Sequence, residues 1–209
     1  MINIAIITLK TIDKIQTLKT LNCPYPHRLI FCRAKGFGNA RNVAATYFGS
    51  SKDVMVQFND DLVISPKIWK HILELKHGEF ILSREGEHLC SRIFAIHLND
   101  YWSVGGCDGN ITYCFEDGDF AYRAQKKHLR LKVLSPKFAK HIVHPHAFYN
   151  PKRIVPITWE FCKMYVKYTR HFDKNPLHFY FPFHDYKVAL KHLILRLVFT
   201  VIWIIKGVK

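Results

Sequence analysis

The segment "DVMVQFNDDLVI", residues 53–64, brings a largely apolar run directly to a group of amide and acidic side chains. It predicts one extended strand that carries Asn59, Asp60 and Asp61 just past its buried part. In an α/β sheet, ligands bind beyond the carboxyl ends of the parallel strands. Because alternate side chains of an extended segment point the same way, we expect Asn59 and Asp61 to face one point.

Two strand–helix units precede this segment. The runs "INIAIIT" (2–8) and "HRLIFCR" (27–33) predict strands, and the stretches "KTIDKIQTLKTL" and "GNARNVAATYF" predict the helices that follow them. One face of the first helix would consist of Ile12, Ile15, Leu18 and Leu21. Successive strand–helix units favour an α/β fold of the doubly wound, Rossmann-like kind, with a mostly parallel central sheet flanked by helices.

The pattern continues after the acidic segment. "PKIWKHILELKH" predicts a helix, while "EFILSRE" and "SRIFAIHL" predict two more strands. We expect "YWSVGGCDGNITYCF" (101–115) to form a glycine-containing loop. The run "EDGDFAYRAQKKH" (116–128) then begins with acids and continues as an amphipathic segment.

The charge divides the chain into two parts. The net formal charge is +15, yet residues 1–119 hold 13 Lys+Arg and 13 Asp+Glu, so residues 120–209 carry the whole excess. This basic part is expected to face an anionic partner: nucleic acid, an acidic lipid surface or a phosphorylated ligand. The 49% content of hydrophobic residues excludes a disordered or fibrous chain.

The cysteine spacing and the first residues of the chain limit the kinds of cysteine site and the cellular location that we expect. No two of the six cysteines lie closer than seven residues, which excludes a zinc knuckle and a CxxC redox pair. The opening "MINIAIITLKTIDK" lacks a basic segment followed by a long apolar run, so it does not predict a signal peptide. We therefore expect a cytoplasmic location.

Two acidic groups are candidate functional sites. Oxygen ligands such as those of "FNDDL" suit Mg²⁺ or Mn²⁺, particularly a cation that also holds substrate phosphates, although the same residues are typical of a turn. In the second group, Glu116, Asp117 and Asp119 would stabilise the first turn of a helix through its dipole. Their mutual repulsion would also raise the pKa of at least one carboxyl group.

Four segments, in order, resemble the GT-A fold, inverting, family 2-like nucleotide-sugar glycosyltransferases. They are the opening strand ending near Thr8, "GFGNARN" (36–42), "FNDDL" (58–62) and "GGCDGNITYCFEDGDFAYRA" (105–124). These are similar to the family's nucleotide-binding first strand, its G-x-x-x-A-R-N helix start, its DxD motif and its acceptor loop leading to an E-D-x-D helix. The resemblance covers roughly residues 2–146.

The resemblance implies an enzyme that transfers a sugar from a nucleoside-diphosphate sugar to an acceptor hydroxyl, with inversion and with Mn²⁺ or Mg²⁺. Such transfer needs a base for the acceptor proton and a second acidic site that holds metal against the diphosphate. Asp117 matches the base, with Glu116 beside it. Asp108 matches an acceptor or sugar contact, and no catalytic step is assigned to Asp119.

The resemblance also implies a donor site. Thr8 and Asp60 match donor contacts, and Arg33 stands where the family often has an acid that contacts the nucleoside. Asn59 replaces the first acid of the DxD motif, so Asp61 would be the chief metal ligand. His141 matches a histidine that lies near the metal in this family. Arg41 is a further candidate, because its guanidinium can bind either the diphosphate or the acidic motif.

The C-terminal third is predicted to be distinct from a catalytic domain over residues 1–150. Residues 151–185 form a basic, aromatic segment, and residues 186–209 end in an apolar run that is short for a membrane span. With a net charge of +5, residues 186–209 predict a helix that attaches peripherally to an anionic membrane; a core helix is the alternative.

Two other functions remain open at this stage. A metal-dependent nucleotidyltransferase would also place acids beside a strand of an α/β sheet. A non-enzymatic protein that binds nucleic acid or membrane would explain the charge, although no RRM, KH or helix-turn-helix signature is present. The donor sugar and the acceptor, whether glycan, lipid or protein, are not encoded in these motifs.

Overall fold

The computed structural model describes residues 1–34, 36–49, 53–85, 88–111 and 116–142, together with Ile194. Apart from Ile194, the segments predicted over residues 151–185 and 186–209 lie outside the described residues. Among the helices that are described, none has the length and apolar character needed to cross a membrane.

The described strands form one large sheet and one small sheet. The strands are β1 (Ile2–Ile7), β2 (His27–Cys32), β3 (Val54–Asn59), β4 (Leu62–Ile64), β5 (Glu79–Glu85), β6 (His88–His97), β7 (Arg130–Leu134) and β8 (Ala139–His141). The large sheet has the order β2-β1-β3-β6-β5-β7, and only β6 runs antiparallel to its neighbours. Strands β4 and β8 pair separately as an antiparallel ribbon. The prediction of a mixed, mostly parallel sheet is confirmed.

Helices cover both faces of the large sheet. They are α1 (Gln16–Thr20), α2 (Phe37–Phe48), α3 (Ile68–Leu73), α4 (Leu98–Val104) and α5 (Glu116–Lys126). Helices α2, α4 and α5 enclose one hydrophobic core, in which the rings of Phe94 and Phe120 pack edge to face at 5.1 Å. Helix α3 and strand β4 enclose the other core around Phe58 and Trp69. Burial of these aromatic rings contributes much of the stability of each layer.

The segment 53–64 is not one strand, as the sequence predicted, but two strands separated by a turn at Asp60 and Asp61. Thr17 stabilises the turn, because its hydroxyl donates to the Asn59 carbonyl at 2.6 Å and accepts from the Leu62 amide at 2.9 Å. The alternation of side chains in an extended strand therefore does not relate Asn59 to Asp61.

Two other local predictions are wrong. The helix expected over residues 10–21 is a 3-10 turn, Ile12–Lys14, followed by the short helix α1, and Ile12 is 54% exposed. Ile15 has an extended backbone between the two, which interrupts the apolar face. The expected loop over residues 101–115 begins inside α4, where Tyr101 is buried against Phe120. This short helix was missed because glycines follow it directly.

The topology brings three chain segments to one edge of the large sheet. Strands β1 and β3 are parallel, so their carboxyl ends, near Thr8 and Asn59, lie side by side. Strand β6 runs the opposite way, and its pairing of Ile93 with Phe58 carries Ser91 past the end of β3. Residues from all three segments can therefore take part in a single site at this edge.

Candidate active site

Two groups of acidic residues stand at this edge of the sheet. We call Glu116, Asp117 and Asp119 at the start of α5 the α5 cluster. We call Asn59, Asp60 and Asp61, which link β3 to β4, the turn cluster. The two groups differ in burial and in the side chains that hold them.

Asp117 is the half-buried member of the α5 cluster. Its Oδ2 accepts a hydrogen bond from the Ser91 amide at 3.0 Å, and its Oδ1 accepts one from the Gly118 amide at 2.8 Å. Both donors are backbone groups, one of them in the central sheet. The carboxylate is therefore held in a fixed orientation by the fold itself.

Glu116 is buried next to Asp117, with only 5% of its surface exposed. Ser91 Oγ donates to its Oε1 at 3.2 Å, and Arg41 Nη2 lies 3.8 Å from the same oxygen. Burial, and then the charge of Asp117, raise the pKa of Glu116 to about 7, against the opposing effect of Arg41. The pKa increase expected in this cluster is thus found at Glu116, with burial as the larger cause.

Arg41 is enclosed between α2 and the sheet, with 1% of its surface exposed. Its Nη1 donates to Gln57 Oε1 at 2.9 Å, and its Nη2 donates to the carbonyl and hydroxyl oxygens of Ser91 at 2.7 and 2.8 Å. Of the two roles predicted for Arg41, these contacts match support of the acidic motif. A guanidinium enclosed in this way does not face a diphosphate.

Asp119 has a structural environment. It is fully buried and pairs with Arg123, one helical turn further on, through Nε at 2.8 Å and Nη2 at 2.6 Å. Arg123 also donates to the Val104 carbonyl at 3.0 Å. The pair thus fastens α5 to the end of α4, in keeping with the absence of a catalytic assignment for Asp119.

In the turn cluster, Asp60 is bound by side chains from the segment after β1. Thr8 Oγ1 donates to its Oδ2 at 2.6 Å, and Lys10 Nζ lies 2.9 Å from its Oδ1. Thr8 Oγ1 in turn accepts from the Lys10 amide at 2.9 Å. Asp60 therefore joins the first strand to the turn with both of its oxygens.

Asp61 and Asn59 present oxygen atoms that the described residues do not satisfy. Asp61 Oδ2 lies 3.1 Å from His141 Nε2, which the pairing of Leu62 with His141 brings alongside. Asp61 Oδ1 and Asn59 Oδ1 are buried without a hydrogen-bond partner in the described part of the chain. A buried polar atom without a partner is costly, and a bound cation with its water would satisfy such oxygens.

The protein side chains at the turn cluster would fill only part of the coordination shell of a metal ion. No three histidine, cysteine, aspartate or glutamate side chains converge as a metal site within the described residues. Asp61 and His141, with Asn59 as an amide ligand, would leave several coordination positions to water and substrate phosphates. Mg²⁺ commonly binds in this way, through few carboxylates.

Two other predicted residues lie at the margins of this edge. Arg33 is exposed and donates from Nη2 to the Lys10 carbonyl at 2.8 Å. Asp108 follows α4, where its Oδ1 accepts from the Asn110 amide at 2.9 Å. A Cβ atom at Gly38, in α2, would lie 2.9 Å from the Asp108 carbonyl oxygen, so the glycine permits the close contact between these two motifs.

Sequence reasoning missed three residues that organise the site. Ser91 contacts Arg41, Glu116 and Asp117, and Lys10 binds Asp60. A third, Asn42, accepts from the Cys107 amide at 2.9 Å and donates to its carbonyl at 2.8 Å. Only Asn42 had a signal, since it ends the quoted "GFGNARN" segment; the other two depend on which strands become neighbours.

Comparison with solved structures identifies the fold. The catalytic domain of Drosophila beta1,4-galactosyltransferase 7, in complex with xylobiose, superposes with a TM-score of 0.54 at 10% identity, covering 69% of this chain and 71% of that one. A point variant of the same Drosophila protein, in complex with manganese, UDP-Gal and xylobiose, gives 0.51 at 12% identity, covering 73% and 74%.

These similarities show that the chain has the GT-A fold. No protein-family model matches the chain, and no curated protein matches it by sequence. At this level of identity the fold is shared, whereas activity has to be argued from the site.

Proposed function

We propose that this protein is an inverting glycosyltransferase that moves a sugar from a nucleoside-diphosphate sugar to an acceptor hydroxyl. The observation that carries the proposal is that one sheet edge presents two different acidic sites. One offers the backbone-held carboxylate of Asp117, and the other offers the buried oxygens of Asn59 and Asp61 beside His141. Inverting transfer needs two such sites with separate tasks.

Asp117 is the proposed general base. The acceptor oxygen attacks the anomeric carbon from the face opposite the leaving diphosphate, and its proton passes to a carboxylate oxygen of Asp117. The Ser91 and Gly118 amides hold that carboxylate in place before the substrate arrives. Glu116 and Arg41 act through Ser91 as positioning residues, since neither is exposed enough to reach a substrate.

The turn cluster is the proposed donor site. Asp61, His141 and Asn59 would hold Mn²⁺ or Mg²⁺, and such a cation would neutralise the charge that develops on the leaving diphosphate. Thr8, Lys10 and Asp60 would keep the turn in position beneath the nucleotide. The fold supports this assignment, because a neighbour with the same fold was solved in complex with manganese and UDP-Gal.

Product analysis tests the reaction. The full chain is incubated with Mn²⁺, a panel of nucleotide sugars and saccharide acceptors that include xylobiose, which the solved neighbours bind. Release of nucleoside diphosphate together with a β-linked product from an α-linked donor supports the proposal. Release of pyrophosphate would instead identify a nucleotidyltransferase. If neither product forms and no nucleotide binds, the protein is a non-enzymatic binding protein.

We also propose that the basic C-terminal residues attach the enzyme to an anionic membrane from the cytoplasmic side. The support is the sequence itself, with a charge of +5 and a short apolar run over residues 186–209. Removing these residues should abolish sedimentation with phosphatidylglycerol vesicles while UDP binding persists. If the shortened chain unfolds, or the full chain does not sediment, the helix is part of the core.

A further inference from the structure

A basic groove lies on the face of the molecule that carries the β4–β8 ribbon. It consists of two open cavities of about 520 and 510 Å³. Ser65 and Lys137 line both cavities, so the two are adjacent. Together they are large enough for several sugar units of a chain, because pockets of 300 to 1,000 Å³ hold drug-sized ligands.

The groove is positively charged along its length. Its basic lining residues, with the histidines, are Lys67, Lys70, His71, Arg92, Lys137, Lys140 and His141, and none of the described residues that line either cavity is acidic. The described residues include no carboxylate that pairs with Lys67, Lys137 or Lys140. Lys70 pairs with Glu74, at 3.9 Å and with both side chains largely exposed, so this ion pair is weak.

One end of the groove reaches the proposed active site. The second cavity is lined by His141, which contacts Asp61, and by Cys90 and Arg92. Cys90 and Arg92 stand on either side of Ser91, whose amide holds Asp117. The groove therefore ends at His141, the partner of Asp61, and at the two sequence neighbours of Ser91, and it leads away from them toward Lys67 and Lys70.

We propose that this groove binds the acceptor, and that the acceptor is an anionic saccharide chain bearing phosphate or carboxylate groups. The inference rests on the proposed function, since it assigns a substrate class to that same site. Positive side chains spread along a concave path match repeated negative charges on a chain. A planar lipid surface would instead need the charges on a convex or flat face.

The test uses short probes, so that the general charge of the protein contributes little. Binding of a carboxylated tetrasaccharide, a phosphorylated tetrasaccharide and a neutral tetrasaccharide is measured by calorimetry on the full chain, at about 0.15 M salt. The groove variant combines Lys67→Gln, Lys137→Gln and Lys140→Gln. The matched control combines Lys19→Gln, Lys76→Gln and Lys126→Gln, three lysines that line neither cavity.

We expect at least one acidic tetrasaccharide to bind and the neutral one to bind at least tenfold more weakly. The groove variant should lose roughly tenfold in affinity for the acidic probe, as three exposed ion pairs would provide, while the control loses less than twofold. The better of the two acidic probes identifies phosphate or carboxylate as the recognised group. Binding of UDP with Mn²⁺ should be equal in all three proteins.

Several results would overturn the assignment. These are an equal loss in the control, equal binding of the neutral probe, no binding of any tetrasaccharide, or a groove variant that loses affinity only for phosphatidylglycerol vesicles. Failure of the proposed function has a different signature, because the unmodified chain would then release pyrophosphate or bind none of the nucleotides in the panel. The tetrasaccharide comparison would still decide whether the groove recognises anionic saccharides.

Discussion

The α5 cluster and the turn cluster contain similar side chains in opposite surroundings. In the α5 cluster, Glu116 is buried and connected through Ser91 to the enclosed guanidinium of Arg41, and Asp117 is held by backbone amides. In the turn cluster, two buried oxygens of Asn59 and Asp61 have no partner in the described part of the chain. The first site is completed by the protein, whereas the second has the properties of a site completed by a ligand.

Under the proposed function, this difference separates the two tasks of one reaction. A base must be oriented before the substrate arrives, so its partners belong to the fold. A cation site must be able to gain and lose its cation with the nucleotide, so some of its ligands are water and phosphate. Each prediction below removes a feature from one cluster and measures a property that the other cluster should not change.

The largest effect is expected from Asp117→Asn. The amide keeps the shape of the side chain but cannot accept the acceptor proton, so transfer should fall by about 10³-fold or more. Affinity for UDP with Mn²⁺, a property of the turn cluster, should stay within about twofold. Initial rates and calorimetry on the same preparation measure both, with Asp13→Asn, at an exposed position, as the control. Full transfer by the Asp117 variant would remove the proposed base.

The second prediction concerns Arg41, the buried arginine beside the α5 cluster. Arg41→Met leaves Gln57 and the Ser91 carbonyl without their donor and Glu116 without a neighbouring positive charge. The free energy of unfolding should fall by about 3 to 5 kcal/mol, as it does when one partner of a buried ion pair is removed. Chemical denaturation measures the loss. Arg33→Met, at an exposed arginine, should change stability by less than about 0.5 kcal/mol; equal losses would contradict the role of Arg41.

The third prediction is a pH dependence that belongs to Glu116. Its pKa in the folded protein is about 7, above the ordinary value of 4.5, so the folded chain binds more protons than the unfolded chain between these values. The stability that Glu116 contributes should therefore be fully present below pH 4.5. It should decrease as the pH rises through 7, by at most about 3 kcal/mol.

Glu116→Gln should remove this decrease, because a neutral amide has no proton to lose. Denaturation at a series of pH values between about 4 and 8 compares the two proteins. Arg41→Met in a chain that keeps Glu116 sharpens the test: without the arginine, the pKa of Glu116 should rise further, and the decrease should move to higher pH. An unchanged pH profile in Glu116→Gln would show that other groups cause it.

The sequence predicted the layers of the fold better than the contacts between them. The apolar run at residues 2–8 became a fully buried parallel strand, and the run at residues 27–33 became a partly exposed parallel strand at the edge of the sheet, because hydrophobic pattern indicates which segments enter the sheet. Because β1, β2 and β3 are parallel, their carboxyl ends lie at one edge of the sheet, as the predicted topology required. Asp61 could accordingly be chosen from its position past a predicted strand, whereas Asp117 was chosen from the family resemblance.

The side-chain contacts of the candidate site could be found only from the three-dimensional arrangement of the strands. Ser91 became important only because β6 pairs with β3 in a register that carries it beyond Phe58, and no local pattern encodes that register. The turn at Asp60 and Asp61, which the sequence left open as the alternative to a metal site, depends on Thr17, which bonds to both sides of it and lies more than forty residues earlier in the chain. Long-range hydrogen bonds of this kind override local strand preference.

The smallest effect, and the one that addresses the turn cluster directly, is expected from Asp61→Ala. An ionised carboxylate is a better ligand for Mn²⁺ than an amide, so its loss should reduce the strengthening of UDP binding by Mn²⁺ about tenfold, or about 1.4 kcal/mol. Asp60→Asn provides the contrast, since Thr8 and Lys10 already occupy the oxygens of Asp60 and the Mn²⁺ effect should persist. Calorimetry with UDP, with and without Mn²⁺, separates the two variants, and the pH dependence of stability from Glu116 should match that of the unmodified chain in both. If Asp61→Ala keeps the full Mn²⁺ effect, the unpartnered oxygens belong to a structural turn, and the contrast between the two clusters would no longer reflect two catalytic tasks.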